Sequence, residues 1–178
     1  MKVLIVVDMQ NDFMPGGALG VAGADALVPI INELMKNFSI VVAVKDWHPK
    51  GHASFAIWPP HCVQETKGAE FVPGLNVDRF EKVFHKGTDL EIDSYSAFFD
   101  NAKARKTGLE EYLKSHQIDA ITLVGMATDY CILYSAQDAV KLGFDVTVIS
   151  DACRAINREP DDEKKAFDSM KSIGAKVI

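Results

Sequence analysis

Short apolar runs recur along the chain at residues 3–7, 40–44, 82–84, 120–124, 146–149 and 176–178, and most are rich in Val and Ile. A run that is apolar at nearly every position is buried on both faces, as strands of a parallel sheet are. Between the runs, hydrophobic positions return every three or four residues, the period of helices that cover such a sheet. Thr107 with Glu110 makes a capping-box pattern ahead of residues 109–116. Residues 129–142 keep Ile132, Ala136, Ala139 and Val140 on one face and stop at Gly143. Pro160, Asp161, Asp162 and Glu163 open a last helix, with acids at the positive end of its dipole, and Gly174 closes it. The alternation predicts an α/β fold around a six-stranded, mostly parallel sheet. One stretch breaks the rhythm. Residues 46–82 hold Pro49, Pro59, Pro60 and Pro73 and three of the five histidines, and a long irregular connection of this kind is expected to build a site.

Length and charge narrow the picture. The 178 residues suit one domain, 1–178. A net charge of -6 with no basic stripe argues against a nucleic-acid partner. The opening run is too short for a signal-peptide core or a bilayer span, so a cytoplasmic location without membrane attachment is expected. Cys62, Cys131 and Cys153 are odd in number and lack metal-ligand spacing, which reads as three free thiols, two of them inert. Monomer and homo-oligomer both stay open.

Parallel sheets bind ligands beyond the carboxyl ends of their strands. There the runs deliver Asp8, then Asp46 and His48, then His85 and Lys86, then the turn GMATDYC with Cys131, then Asp151. With Thr128 as N-cap, Cys131 falls in the first turn of a helix, where backbone N–H groups and the dipole lower a thiol pKa and can receive an oxyanion. Asp8 is the candidate base. The plainer alternative makes Cys131 a small core residue. Lys86 is either a solvated strand-end lysine or a charge that keeps Asp8 ionised and orients a carbonyl. Asp46, His48, His52 and His61 are oxygen and nitrogen donors suited to zinc, iron or manganese, unless the histidines are simply solvated. His85 and His116 have no such company and no role is assigned to them. Phe13, Trp58 and Tyr95 could line a flat aromatic pocket or fill the core. The glycines between 16 and 23 lack the phosphate-binding spacing and read as a flexible loop.

Five segments together carry a resemblance: DMQNDF at Asp8 to Phe13, DWHPKGH at Asp46 to His52, WPPHC at Trp58 to Cys62, FHKG at Phe84 to Gly87, and GMATDYC at Gly125 to Cys131. In this order, from one end of the chain to the other, they resemble the nicotinamidases of the isochorismatase-like cysteine hydrolases. The resemblance implies a three-layer α/β/α fold and hydrolysis of nicotinamide to nicotinate and ammonia in NAD salvage, with pyrazinamide as a further substrate. It implies a catalytic triad of Asp8, Lys86 and Cys131, and a cis peptide between Met126 and Ala127 with the amides of Ala127 and Cys131 as the oxyanion hole. It implies one divalent metal, zinc first, with iron or manganese as alternatives, on Asp46, His48 and His61; some members add a ligand at the position of His52. The substrate pocket is expected between Phe13, Trp58, Tyr95 and Met126. Three rival readings stand beside this one: a metal-independent hydrolase of another small acyl compound, a hydrolase whose nucleophile is metal-activated water, and a non-catalytic binding module.

Overall fold

The computed structural model describes residues 1–178. Six strands form one sheet: β1 (Lys2–Val7), β2 (Ile40–Asp46), β3 (Lys82–Lys86), β4 (Ala120–Met126), β5 (Asp145–Arg154) and β6 (Lys176–Val177), in the order β3-β2-β1-β4-β5-β6. Every pairing is parallel. Four helices complete the chain: α1 (Leu27–Met35), α2 (Leu109–Ser115), α3 (Leu133–Lys141) and α4 (Asp162–Ser172).

The apolar runs become central strands because both their faces are covered. Along β1, Val3, Ile5 and Val7 point into a core shared with Leu109 and Leu113 of α2, Ala136 and Ala139 of α3, and Ala166 and Met170 of α4. The intervening Leu4 and Val6 pack with Leu27, Ile31 and Met35 of α1 on the opposite face. Alternate side chains of one strand thus feed two cores, which makes three layers, α/β/α. The expected architecture holds, and the sheet is wholly rather than mostly parallel.

Strand order reverses between β1 and β4, since the chain moves outward through β2 and β3 on one side and through β5 and β6 on the other. The crevice at such a switch point is where open α/β sheets bind ligands. β1 ends immediately before Asp8, and β4 ends immediately before the turn that carries Cys131. β4 approaches β1 closely there: Gly125 has φ +114°, and a Cβ on it would collide with the Val7 carbonyl.

Several boundaries differ from the sequence reading. β5 runs to Arg154 because its pairing with β4 slips between Leu123 and Gly125, so Asp151 lies in mid-strand, exposed, and not at the site. Thr107 Oγ1 does accept from the Leu109 N–H at 3.2 Å, but Glu110 turns to Lys106 and Lys114 rather than completing the capping box. The glycine loop after Phe13 is pinned to its own start, with Leu19 N–H donating to Asp12 O at 2.9 Å and Val21 N–H to Phe13 O at 2.9 Å.

Candidate active site

Asp8 follows the last residue of β1 in the left-handed region, φ +55°, which aspartate tolerates better than most residues. Its side chain is fully buried and neither carboxylate oxygen receives an aligned hydrogen bond. Lys86 Nζ lies 2.9 Å from Asp8 Oδ2, close but off the hydrogen-bonding direction, and 3.4 Å from Cys131 Sγ. The same ammonium donates to Asp46 Oδ1 and, at 3.3 Å, to the Ser94 carbonyl. Carboxylate, ammonium and thiol therefore meet at the switch point, and the reading of Lys86 as a solvated strand-end residue fails: it is 1% exposed.

Burial decides how these groups titrate. Desolvation raises the Asp8 carboxyl from 3.8 to about 6, against the pull of Lys86. Burial also pushes the Cys131 thiol well above its ordinary value; Lys86 pulls it down, and the negative charges of Asp8 and Asp46 push it further up. This corrects the expectation of a thiolate held by a helix N-terminus. The helix start differs from the expectation as well. Thr128–Ile132 forms a wide π-helical turn, in which Ile132 N–H donates to Ala127 O at 3.0 Å, before α3 starts at Leu133. Thr128 does not cap it; its hydroxyl donates to Glu163 Oε1 at 3.2 Å. The resting thiol is neutral and needs a base, which Asp8 can be at neutral pH.

The peptide between Met126 and Ala127 is cis. Ala127 is buried, and its N–H donates to no acceptor within the protein, while both Ala127 and Cys131 face the pocket. A free buried N–H beside the nucleophile is suited to receive developing negative charge.

Asp46, His48 and His61 form a second cluster, with one donor atom from each within 4.8 Å of the others. His48 Nδ1 lies 2.9 Å from the Gly87 carbonyl and His61 Nδ1 lies 2.8 Å from the Pro59 carbonyl. A carbonyl only accepts, so each Nδ1 carries the proton and each Nε2 lone pair turns toward Asp46 Oδ2, at 3.5 and 3.7 Å. Burial alone would raise Asp46, but Lys86 and His48 hold its carboxyl well below the usual range. This donor set fits a divalent ion.

His52 stands differently. Its ring stacks on His48 with centroids 4.2 Å apart, Nδ1 accepts from the Ser54 N–H at 3.3 Å, and Nε2 faces the Ile92 carbonyl at 3.3 Å. Burial and the neighbouring His48 lower its pKa, so the ring is neutral with its only lone pair turned to Ser54. In this arrangement His52 supports the His48 ring with its Nδ1 engaged by Ser54, and it lies with His48 and Asp93 in another group whose donor atoms fall within 4.8 Å of one another.

A pocket of about 350 Å³, counted to its open mouth, joins the two clusters. Phe13, Trp58 and Tyr95 line it as expected, with Asp46, His61, Ala127 and Cys131 at its base. Trp58 Nε1 donates to the Tyr95 hydroxyl at 3.2 Å, which fixes one aromatic wall. Met126 does not reach it. As the last residue of β4 it is fully buried and points into the α1 core, because alternate strand residues face opposite layers. Leu19, Asp93, Tyr130 and Ile156 also line the pocket and were not foreseen. Tyr130, adjacent to Cys131, could have been suspected from its position; the others lie in connections without a periodic signal.

A buried thiol against a buried ammonium and carboxylate, beside a carboxylate–imidazole set that fits a metal, all on one parallel sheet, is the arrangement of an α/β hydrolase. Comparison with known proteins agrees: the Isochorismatase domain model matches residues 2–178. The chain belongs to the isochorismatase family. It is 41% identical over 197 aligned positions to a nicotinamidase of Escherichia coli (strain K12), covering 98% of this chain and 92% of that one. Among solved structures, PnC1 from L. infantum in complex with nicotinate superposes with a TM-score of 0.95 at 37% identity, covering 100% of this chain and 92% of that one. The pyrazinamidase of Pyrococcus horikoshii in complex with zinc superposes with a TM-score of 0.89 at 41% identity, covering 99% and 98%.

Proposed function

We propose that the chain, as one hydrolase domain over residues 1–178, hydrolyses nicotinamide to nicotinate and ammonia through a Cys131 thioester, as a cytoplasmic step of NAD salvage. The observation that carries this reading is the contact of Lys86 with both Asp8 and Cys131 at the base of an aromatic pocket that also reaches Asp46 and His61. The relatives named above support the choice of a pyridine carboxamide.

Asp8 takes the thiol proton as Cys131 Sγ attacks the carboxamide carbon, and the carbonyl π pair moves to oxygen. The Ala127 and Cys131 amides hold that oxyanion, with the Lys86 charge nearby. Collapse breaks the C–N bond, and Asp8 returns its proton to the departing nitrogen, which leaves as ammonia. Asp8 then takes a proton from water as water adds to the thioester; collapse breaks the C–S bond, Asp8 returns its proton to the Cys131 sulfur, and the acid product leaves as nicotinate with its proton lost to solvent. Phe13 and Trp58 flank the ring and hold the carboxamide toward sulfur. Asp46, His48 and His61 would hold a divalent ion, for which we propose zinc, and such an ion supplies a Lewis-acidic anchor for the ring nitrogen, directly or through water.

Ammonia release from nicotinamide by the purified, metal-loaded protein tests the reading. The expected result is turnover with equal yields of ammonia and nicotinate, and trapping of an acylated Cys131 by rapid acid quench and mass spectrometry. Turnover with no acyl adduct, and no loss on changing Cys131, would transfer the nucleophile's role to water. No turnover of any aromatic amide would end the proposal.

A further inference from the structure

One carboxylate beside the nucleophile takes no part in the chemistry above. Asp129 accepts from the Ile156 N–H at 3.0 Å through Oδ1 and from the Asn157 N–H at 2.8 Å through Oδ2, and no Lys, Arg or His pairs with it. The loop it grips, between β5 and α4, is tied a second time. Asn157 stands at φ +53° and its Oδ1 accepts from the Glu163 N–H at 3.0 Å, while Glu163 receives the Thr128 hydroxyl. The loop so held presents two side chains to the substrate pocket. Ile156 lines it directly. Arg158 is exposed and lays its guanidinium 5.0 Å from the centroid of Trp58, itself a pocket wall.

We propose that Asp129 is a positioning residue that docks this loop, and that the docked loop, through Ile156 and Arg158, sets which aromatic amides the pocket accepts. The inference rests on the amide hydrolysis proposed above. Asp129 and Cys131 share one turn, so the wall formed by Ile156 is held at a fixed offset from the attacking sulfur. A ring substituent directed at Ile156 can be accommodated only if the loop retreats and gives up its bonds to Asp129, which disfavours bulkier rings. Arg158 stacks on Trp58 and limits the tilt of the indole on the same side.

The test compares wild type, Asp129→Ala, Ile156→Ala and Arg158→Ala, all metal-loaded, on nicotinamide and on ring-methylated nicotinamides. In Asp129→Ala, KM for nicotinamide should rise about tenfold with kcat within about threefold, as expected when positioning of substrate is lost and chemistry is kept. The kcat/KM preference for nicotinamide over the methylated amides should narrow in both Asp129→Ala and Ile156→Ala. Arg158→Ala should raise KM alone. A fall in kcat with KM and preference unchanged in Asp129→Ala would mean a merely structural role and overturn the proposal. Should that variant fail to fold, wild-type KM and preference in the other two overturn it equally. Absence of amide turnover by the wild type would instead sink the proposed function, and this inference with it.

Discussion

Replacement of Asp8 by Asn should abolish activity and stabilise the protein. The carboxylate is fully buried, lacks an aligned hydrogen bond, and has its pKa raised from 3.8 to about 6. At about 1.4 kcal/mol per pH unit, keeping it ionised costs the folded state about 3 kcal/mol at neutral pH relative to the unfolded chain. The sign follows from the raised value: the fold holds this proton more tightly than the unfolded chain does, so the favourable contribution is complete below pH 3.8 and is lost as pH rises through about 6. Asn keeps the shape and removes the charge. Its amide must find new partners, so about 3 kcal/mol is a ceiling, equivalent to a Tm rise of up to about 10 °C for a chain of this size. Urea denaturation of metal-stripped wild type and Asp8→Asn at pH 7.5 and pH 4 measures it. The variant should be the more stable at pH 7.5, with the gap closing at pH 4, and should lose at least about a thousandfold in kcat. A variant no more stable at pH 7.5, or a gap that persists at pH 4, would refute the assignment of a strained, desolvated base.

Three further outcomes follow from the same geometry. kcat/KM should fall on the acid side with an apparent pKa of about 6, about tenfold for each pH unit below it, because protonated Asp8 cannot accept the thiol proton; a profile flat down to pH 5 would assign the base elsewhere. Cys131→Ala should cost more than about 10⁴-fold in turnover while the metal content, read by atomic emission, stays at the wild-type level; residual activity near one tenth would favour a water nucleophile. Gly87→Ala should weaken metal binding by about 10- to 100-fold in competition with a chromophoric chelator, since a Cβ there would collide with the His48 ring whose Nδ1 the Gly87 carbonyl orients; unchanged affinity would show that the ring is not held by this backbone.

The strands were legible because a residue buried on both sheet faces admits only apolar side chains, and that constraint is written directly into runs such as residues 3–7 and 120–124. Asp8, Asp46, Lys86 and Cys131 were legible as chemistry because polar residues at the ends of such runs fall together at one rim. What period and propensity miss is any feature set by a neighbouring element. The π-helical turn at Thr128–Ile132 looks like an ordinary helix start, and only the Glu163 contact shows that the Thr128 hydroxyl is engaged elsewhere. Met126 was expected at the pocket from the resemblance, whereas strand alternation turns it into the α1 core. The Cys131 pKa was misjudged for a related reason: helix-end dipoles are visible in a sequence, but the desolvation that raises the thiol comes from its complete burial in the folded chain.

Lys86 explains why the two carboxylates beside it behave oppositely. A single buried ammonium touches both Asp8 and Asp46, and two acids sharing one cation are pushed apart in pKa once either has additional partners. Asp46 has them: His48 and His61 face its free oxygen, and its backbone is clamped by Gln10, which accepts from the Asp46 N–H at 2.8 Å and donates to its carbonyl at 2.8 Å. Asp8 has none, and its oxygens are left with an off-axis ammonium and a thiol. Asp46 therefore stays ionised, as the proposed metal ligand must, while Asp8 titrates at about 6, as suits the proposed base that takes and returns a proton twice in each cycle. The proposed metal-binding set and the proposed base are thus one electrostatic unit, in which the hydrogen bonds denied to Asp8 and granted to Asp46 separate the two acids.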